Sequence, residues 1–179
     1  MCSKEDIRKS IRQKKKLLSS EDKLQAAELV FKQLFQLEQW EKANRVLVYH
    51  SLPDELQTIE YLDKMLSKEL FLPKVDGDTL KIVAYDKSRL ITGAYNILEP
   101  DDNNYFPVED IELIIIPGVA FDKQKNRLGR GKGYYDKLLS NTDAFKIGIC
   151  YDFQLVEEIP ADSHDIKMDI VITPNCVII

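Results

Sequence analysis

Four of the chain's seven glycines, Gly118, Gly129, Gly131 and Gly133, fall within residues 117–136, PGVAFDKQKNRLGRGKGYYD. Glycine lets backbone N–H groups approach an anion closely. Arg127, Arg130 and Lys132 add positive charge, and a helix opening at Tyr134 would add the partial charge of its first turn. Together these features would cradle a phosphate. The spacing matches neither the Walker pattern nor the dinucleotide fingerprint, and a basic surface loop is the competing reading of the same residues.

Acidic and aromatic residues surround this segment. Asp136, in the first turn of the expected helix, suits either an acid that complements the helix dipole or a Mg²⁺ ligand. Asp165, after His164, precedes the last expected strand and could bring a second carboxylate to the same end of a sheet, or simply occupy a solvated turn. Glu55 follows the first expected strand, where α/β proteins recognise substrates, although exposed glutamates are commonly only solubilising. Lys4 and Arg8, four positions apart on a helix, form either a binding pair or a solvated face. Tyr134, Tyr135 and Tyr95 could stack on a flat ring or pack in the core.

Composition narrows the function classes. The chain has 179 residues, 25 Lys and Arg against 30 Asp and Glu, and a net charge of −5, which disfavours a nucleic-acid binder that relies on a basic surface. Its three cysteines, Cys2, Cys150 and Cys176, form neither a disulfide framework nor a zinc-ligand spacing and suit a reducing compartment. With two histidines, His50 and His164, a site of several imidazoles is excluded, and carboxylates are the expected metal ligands. No run of membrane length and no signal-peptide core is present. A cytoplasmic, monomeric protein is expected, with residues 1–179 forming one domain.

The pattern of elements is that of an α/β protein. A helix with a capping box at Ser3 and Asp6 is expected first, then one restarted at Ser19 or Ser20 with Leu24, Ala27, Phe31, Leu34 and Phe35 at the amphipathic period. Residues 45–49 (RVLVY) read as a strand, and Thr58 as the cap of a helix with Ile59, Leu62, Met65 and Leu66 along one side. Residues 70–72 form a strand stopped by Pro73, residues 80–85 a more exposed one, and residues 91–110 a long loop. Residues 113–116 (LIII) lack alternation, as a strand covered on both faces would. Residues 120–133 read as loop, 134–139 as helix, 146–150 as strand, 153–158 as helix and 170–173 as the last strand. The expected fold is a three-layer sandwich around a mainly parallel sheet, Rossmann-like, with ligands bound outside the carboxyl ends of its strands.

The run RLGRGKGYYD preceded by PGVAFD resembles the signature of the 5-formyltetrahydrofolate cyclo-ligase family, also called methenyltetrahydrofolate synthetase. The resemblance extends over nearly the whole chain through Lys4-x-x-x-Arg8, Ser51-x-x-x-Glu55-x-x-Thr58, Leu72-Pro73, and His164-Asp165 with Asp169. It implies ATP-dependent closure of 5-formyltetrahydrofolate to 5,10-methenyltetrahydrofolate, releasing ADP and phosphate with Mg²⁺. By matching position, ATP would be bound by Lys4 and Arg8 with Arg127, Leu128, Gly129, Arg130, Gly131, Lys132, Gly133, Tyr134 and Tyr135. The reduced folate would meet His50, Glu55 and the stretch Arg130, Gly131, Lys132, Gly133 and Tyr134. Asp136 and Asp165 would hold Mg²⁺, and Arg130 and Lys132 would act in catalysis. Tyr95 stands where similar proteins can show Trp, and residues 103–109 match nothing in the pattern. A phosphate-handling enzyme that needs no ATP and a silent anion-binding module are the alternative readings.

Overall fold

Apolar residues in four strands alternate between two buried faces. The computed structural model describes residues 3–92, the backbone of 98–100, and residues 103–160, 162 and 165–179; Tyr95, His164 and Cys2 lie outside the described residues. In chain order the regular elements are α1 (Lys4–Lys15), α2 (Ser20–Leu34), α3 (Glu38–Lys42), β1 (Arg45–Val48), α4 (Ile59–Leu62), β2 (Glu69–Asp76), β3 (Thr79–Ala84), β4 (Leu90–Thr92), β5 (Leu98–Pro100) and β6 (Tyr105–Phe106). Then follow β7 (Leu113–Ile116), β8 (Ala120–Asp122), β9 (Arg127–Leu128), α5 (Tyr134–Leu139), β10 (Phe145–Ile149), β11 (Leu155–Val156), β12 (Ile170–Thr173) and β13 (Cys176–Ile178).

The main sheet runs β13-β12-β10-β7-β1-β2-β3-β6. Its five central strands are mutually parallel, and the edge pairs are antiparallel. Val46, Val48, Leu113, Ile115, Ile147, Ile149, Ile170 and Ile172 face α2, α3 and α4, burying Phe31, Leu34, Trp40 and Leu62. The intervening Leu47, Ile114, Ile116 and Val171 face Phe121 of β8 and Leu138 and Leu139 of α5. A strand with apolar side chains on both faces must be covered on both sides, which accounts for the three layers.

Taken in chain order, the parallel strands have the doubly wound order 2-1-3-4-5. From β1 the chain steps one way to β2, and from β7 it steps the other way to β10. Right-handed crossovers in opposite directions put α4 and α5 on opposite faces and open a crevice between the carboxyl ends of β1 and β7.

Several local expectations are corrected. Residues 120–133 contain the hairpin β8–β9, closed by a turn in which Asp122 Oδ1 accepts from Gln124 N and Asn126 N at 3.0 and 2.9 Å. The expected helix at 153–158 is a single 3-10 turn followed by β11, which pairs with β8. Pro73 does not stop β2: pairing with β1 ends at Phe71, so beyond it β2 has a neighbour on one side only, where a missing N–H is tolerated. Thr58 makes no cap. Residues 91–110 include β4, β5 and β6, and β13 adds an unforeseen antiparallel edge.

Candidate functional site

Three segments converge at the crevice, and their own hydrogen bonds fix each. The loop after β1 is tied by Thr58, whose Oγ1 donates to Tyr49 O at 2.6 Å and accepts from Ser51 N at 3.2 Å. Tyr49 Oη donates to Leu56 O at 2.7 Å and Tyr151 Oη to Glu55 O at 3.0 Å. Ser51 and Thr58 thus brace one loop that presents Glu55. Its Oε2 accepts from Leu52 N at 3.0 Å, and the side chain is only 11% exposed.

The glycine-rich segment is held from beneath. The Asp122 carboxylate is fully buried and also accepts from Asn126 Nδ2 at 2.8 Å and Ile159 N at 3.0 Å, while Gln154 Nε2 donates to Gly118 O and Val119 O, each at 2.9 Å. Gly131 and Gly133 have φ of +98° and +70°, the left-handed region that side chains avoid, so the turn into α5 requires glycine there. Because α5 has only six residues, its dipole contributes little, and the pull on an anion comes from side chains.

The third segment is α1. Its capping box at Ser3 and Asp6 forms as expected, and Ile7 and Ile11 pack with Ala120, Leu128 and Ile159. Lys4 Nζ donates to Asp162 Oδ2 and Asp165 Oδ2 at 2.7 and 2.9 Å, and Arg8 Nε donates to Gly129 O at 3.0 Å. The hydrogen bond that Lys4 donates to Asp162 raises its pKa most, with Asp165 adding to it against partial burial.

These segments enclose a cleft of about 670 Å³, the size of a small-molecule site. Lys4, Arg8, Arg127, Arg130 and Lys132 line it against Asp54, Glu55, Asp136 and Asp165. Positive charge is therefore in slight excess here on a chain whose net charge is −5. Pro73, Val75 and Leu80 from β2 and β3 make an apolar wall, and Tyr134 and Tyr135 also line the cleft. Burial pushes up the phenols of Tyr49 and Tyr135, and that of Tyr151 to about 12, so these hydroxyls stay neutral.

All the expected site residues line this cleft, but they are engaged unequally. Lys132 is exposed, with no ion-pair partner among the described residues. Arg130 donates from Nη2 to Asp54 Oδ1 at 2.6 Å and to Glu55 Oε1 at 3.2 Å, joining the glycine segment to the β1 loop. Arg127 is 5% exposed and donates to Asp136 Oδ1 at 2.6 Å, so it braces the segment from inside. The Leu128 side chain is buried among Ile7, Ile11 and Ala120, leaving its backbone to face the cleft. Both ring nitrogens of His50 are buried without a partner, and burial lowers its pKa. A neutral imidazole at a cleft wall with nothing to bond is a ready contact for a ligand with polar edges.

Sequence reasoning missed Asp54, Lys15, Asp122 and Gln154. The first two form an ion pair of 3.2 Å between α1 and the β1 loop. Lys15 lies seven positions beyond Arg8 and shares its helix face, a signal that was available. Asp122 and Gln154 act through backbone bonds to distant segments, for which no local pattern exists.

Comparison with known proteins agrees with the signature. The model of the 5-formyltetrahydrofolate cyclo-ligase family matches residues 1–174. A Schizosaccharomyces pombe protein named "Probable 5-formyltetrahydrofolate cyclo-ligase" is 34% identical over 83% of this chain and 84% of its own length. The Escherichia coli K12 5-formyltetrahydrofolate cyclo-ligase is 30% identical over 92% of this chain and 97% of its own. The solved structure of Aquifex aeolicus 5,10-methenyltetrahydrofolate synthetase superposes with a TM-score of 0.89 at 36% identity, covering 97% of this chain and 91% of that one.

Proposed function

The chain belongs to the 5-formyltetrahydrofolate cyclo-ligase family, and we propose that its cleft closes 5-formyltetrahydrofolate to 5,10-methenyltetrahydrofolate with ATP, releasing ADP and phosphate. The observation that carries this reading is the Arg130 bridge. One side chain spans the cationic glycine segment suited to a triphosphate and the Glu55 carboxylate suited to the N–H edge of a pterin.

The formyl oxygen attacks the γ-phosphorus, the bond to the bridging oxygen of ADP breaks, and an iminium phosphate forms. N10 then adds to the same carbon and releases its proton to solvent, and phosphate leaves with the former formyl oxygen. Phosphoryl transfer of this kind asks for positioning and charge neutralisation more than for an enzymatic nucleophile. Lys4 and Arg8 hold the triphosphate with the loop backbone from residue 127 to 135. Arg130 and Lys132 offset the charge on the transferred oxygens, Lys132 being already free to do so. Glu55 and His50 orient the pterin, with Pro73, Val75 and Leu80 covering its flat face.

Asp136 and Asp165 suit Mg²⁺ by donor type, since the ion takes oxygen ligands and commonly only one or two carboxylates, with phosphates and water completing the shell. Asp136 is paired with Arg127, and Asp165 with Lys4, so each would exchange a cation for the ion. When bound, the ion would neutralise nucleotide charge and align the γ-phosphate. We take the protein to act as a cytoplasmic, single-domain monomer; no helix among the described residues is long and apolar enough to cross a membrane. Appearance of methenyltetrahydrofolate absorbance on mixing protein, MgATP and 5-formyltetrahydrofolate tests the reading. Nucleotide binding without turnover would refute it.

A further inference from the structure

Lys15 is the one buried lysine among the described residues, its side chain 7% exposed, and no step above uses it. Lys4, Arg8, Ile11 and Lys15 follow one another at intervals of three and four along one side of α1; Lys4 and Arg8 line the cleft, Ile11 packs in the core, and Lys15 reaches Asp54 on the cleft wall. An apolar residue would be the ordinary continuation after Ile11. An ammonium in its place is unfavourable unless it is paired. Burial lowers the Lys15 pKa accordingly, and the Asp54 carboxylate opposes that.

Asp54 is divided between two cations. Its Oδ2 accepts from Lys15 Nζ at 3.2 Å and its Oδ1 from Arg130 Nη2 at 2.6 Å, while the same Nη2 reaches Glu55 Oε1 at 3.2 Å. Burial alone would raise the Asp54 carboxyl, but the Lys15 charge and the Arg130 hydrogen bond outweigh it and hold it below its usual range. The four groups therefore alternate in sign in the order Lys15, Asp54, Arg130, Glu55, with Lys15 the buried end and Arg130, half-exposed, between the two carboxylates. If Arg130 turns toward a transferring phosphoryl group, Asp54 loses a partner. It is not left uncompensated, because Lys15 remains.

We propose that Lys15 is a positioning residue of the cyclo-ligase reaction, anchoring Asp54 so that Arg130 can leave it for the phosphoryl group while Glu55 stays with the pterin. The inference rests on the cyclo-ligase reading. Without Lys15, Asp54 has Arg130 as its sole counter-ion and keeps it, so the loss falls on the chemical step rather than on nucleotide binding.

The test is the set Lys15→Met, Lys15→Arg, Asp54→Asn and the Lys15→Met/Asp54→Asn double variant, measured by steady-state kinetics beside melting curves. Lys15→Met should lower kcat about tenfold, as for residues coupled in one charge network, with KM for ATP within about twofold. Lys15→Arg should retain most of the activity. Adding Asp54→Asn should recover part of the Lys15→Met loss, because the excess hold on Arg130 disappears. Should Lys15→Met not fold, Lys15→Gln carries the same test, since its amide still donates to Asp54 without charge. Wild-type kcat in the neutral variant, or a double variant no better than the single one, overturns the inference. Wild-type protein that forms no methenyltetrahydrofolate would instead refute the cyclo-ligase reading, and this inference with it.

Discussion

Replacing Glu55 by glutamine keeps the side chain's shape and removes its charge, which isolates what the carboxylate does in the folate half of the cleft. In the ligand-free protein Oε1 accepts from Arg130 Nε and Nη2 at 3.3 and 3.2 Å, and Oε2 accepts from Leu52 N at 3.0 Å. An amide has a single acceptor oxygen, so in either orientation its NH₂ group faces one of those donors. Leaving a nearly buried donor unmatched costs about 1–3 kcal/mol. The lost ion pair adds little, because the Arg130 side chain is 47% exposed and solvent screens it. A total of about 1–3 kcal/mol corresponds to a fall in melting temperature of about 2–12 °C for a chain of this size. The ligand term is larger. A hydrogen bond to a charged group contributes about 1.5–3 kcal/mol, or about 10- to 150-fold in affinity. Calorimetric titration with 5-formyltetrahydrofolate should show that loss, and titration with MgATP should change by less than about twofold. Weakened ATP binding with folate binding spared would mean that Glu55 serves the nucleotide side.

Arg130→Ala should lower kcat on the order of 10³-fold, the contribution of an arginine at a transferring phosphoryl group, while the melting temperature moves by only a few degrees; near-wild-type turnover would leave the glycine segment a purely structural role. Asp136→Asn and Asp165→Asn should each weaken the use of MgATP across a Mg²⁺ titration. Combined, they should cost less than their separate losses together, and additive losses with an unchanged Mg²⁺ dependence would remove Asp165 from the site. His50 should make stability depend on pH. Burial lowers its pKa from 6.5, so the folded state resists protonation, and stability is full above 6.5 and declines as pH falls below it. Chemical denaturation of His50→Asn between pH 7 and 5 should show a shallower decline than wild type; an equal decline would mean that the imidazole is not shielded.

The strands β1, β7, β10 and β12 were readable because each is an apolar run buried on both faces, a signal that needs no knowledge of partners. The hairpin β8–β9 was not. Its strands have three and two residues, and what holds them is the buried Asp122, which accepts from Ile159 N, and the pairing of β8 with β11, both set by other parts of the chain. The same pairing explains why residues 153–158 are not a helix. The site divided likewise: the glycines, arginines and Glu55 announce themselves by type and spacing, whereas Asp54 and Lys15 acquire meaning only when α1 is laid beside the β1 loop. Ile7 and Ile11, at 6% and 1% exposure, make α1 part of the core, so point substitutions at Lys4 and Arg8 test nucleotide binding more cleanly than deletion.

The bonds from Lys4 to Asp162 and Asp165 join positions 158 and 161 residues apart. During synthesis α1 emerges well before these partners: its apolar contacts extend to Ile159 and the two aspartates come later still. Contacts of such separation form slowly, so the Lys4 end of α1 is fixed only after most of the sheet exists. A truncated chain that stops short of Asp162 can form β1, β7 and the glycine segment and can pack Ile11 on Ala120 and Leu128, but it leaves Lys4 without the two carboxylates that hold it. The nucleotide side of the cleft would therefore be the last part of the site to reach its final arrangement of charge.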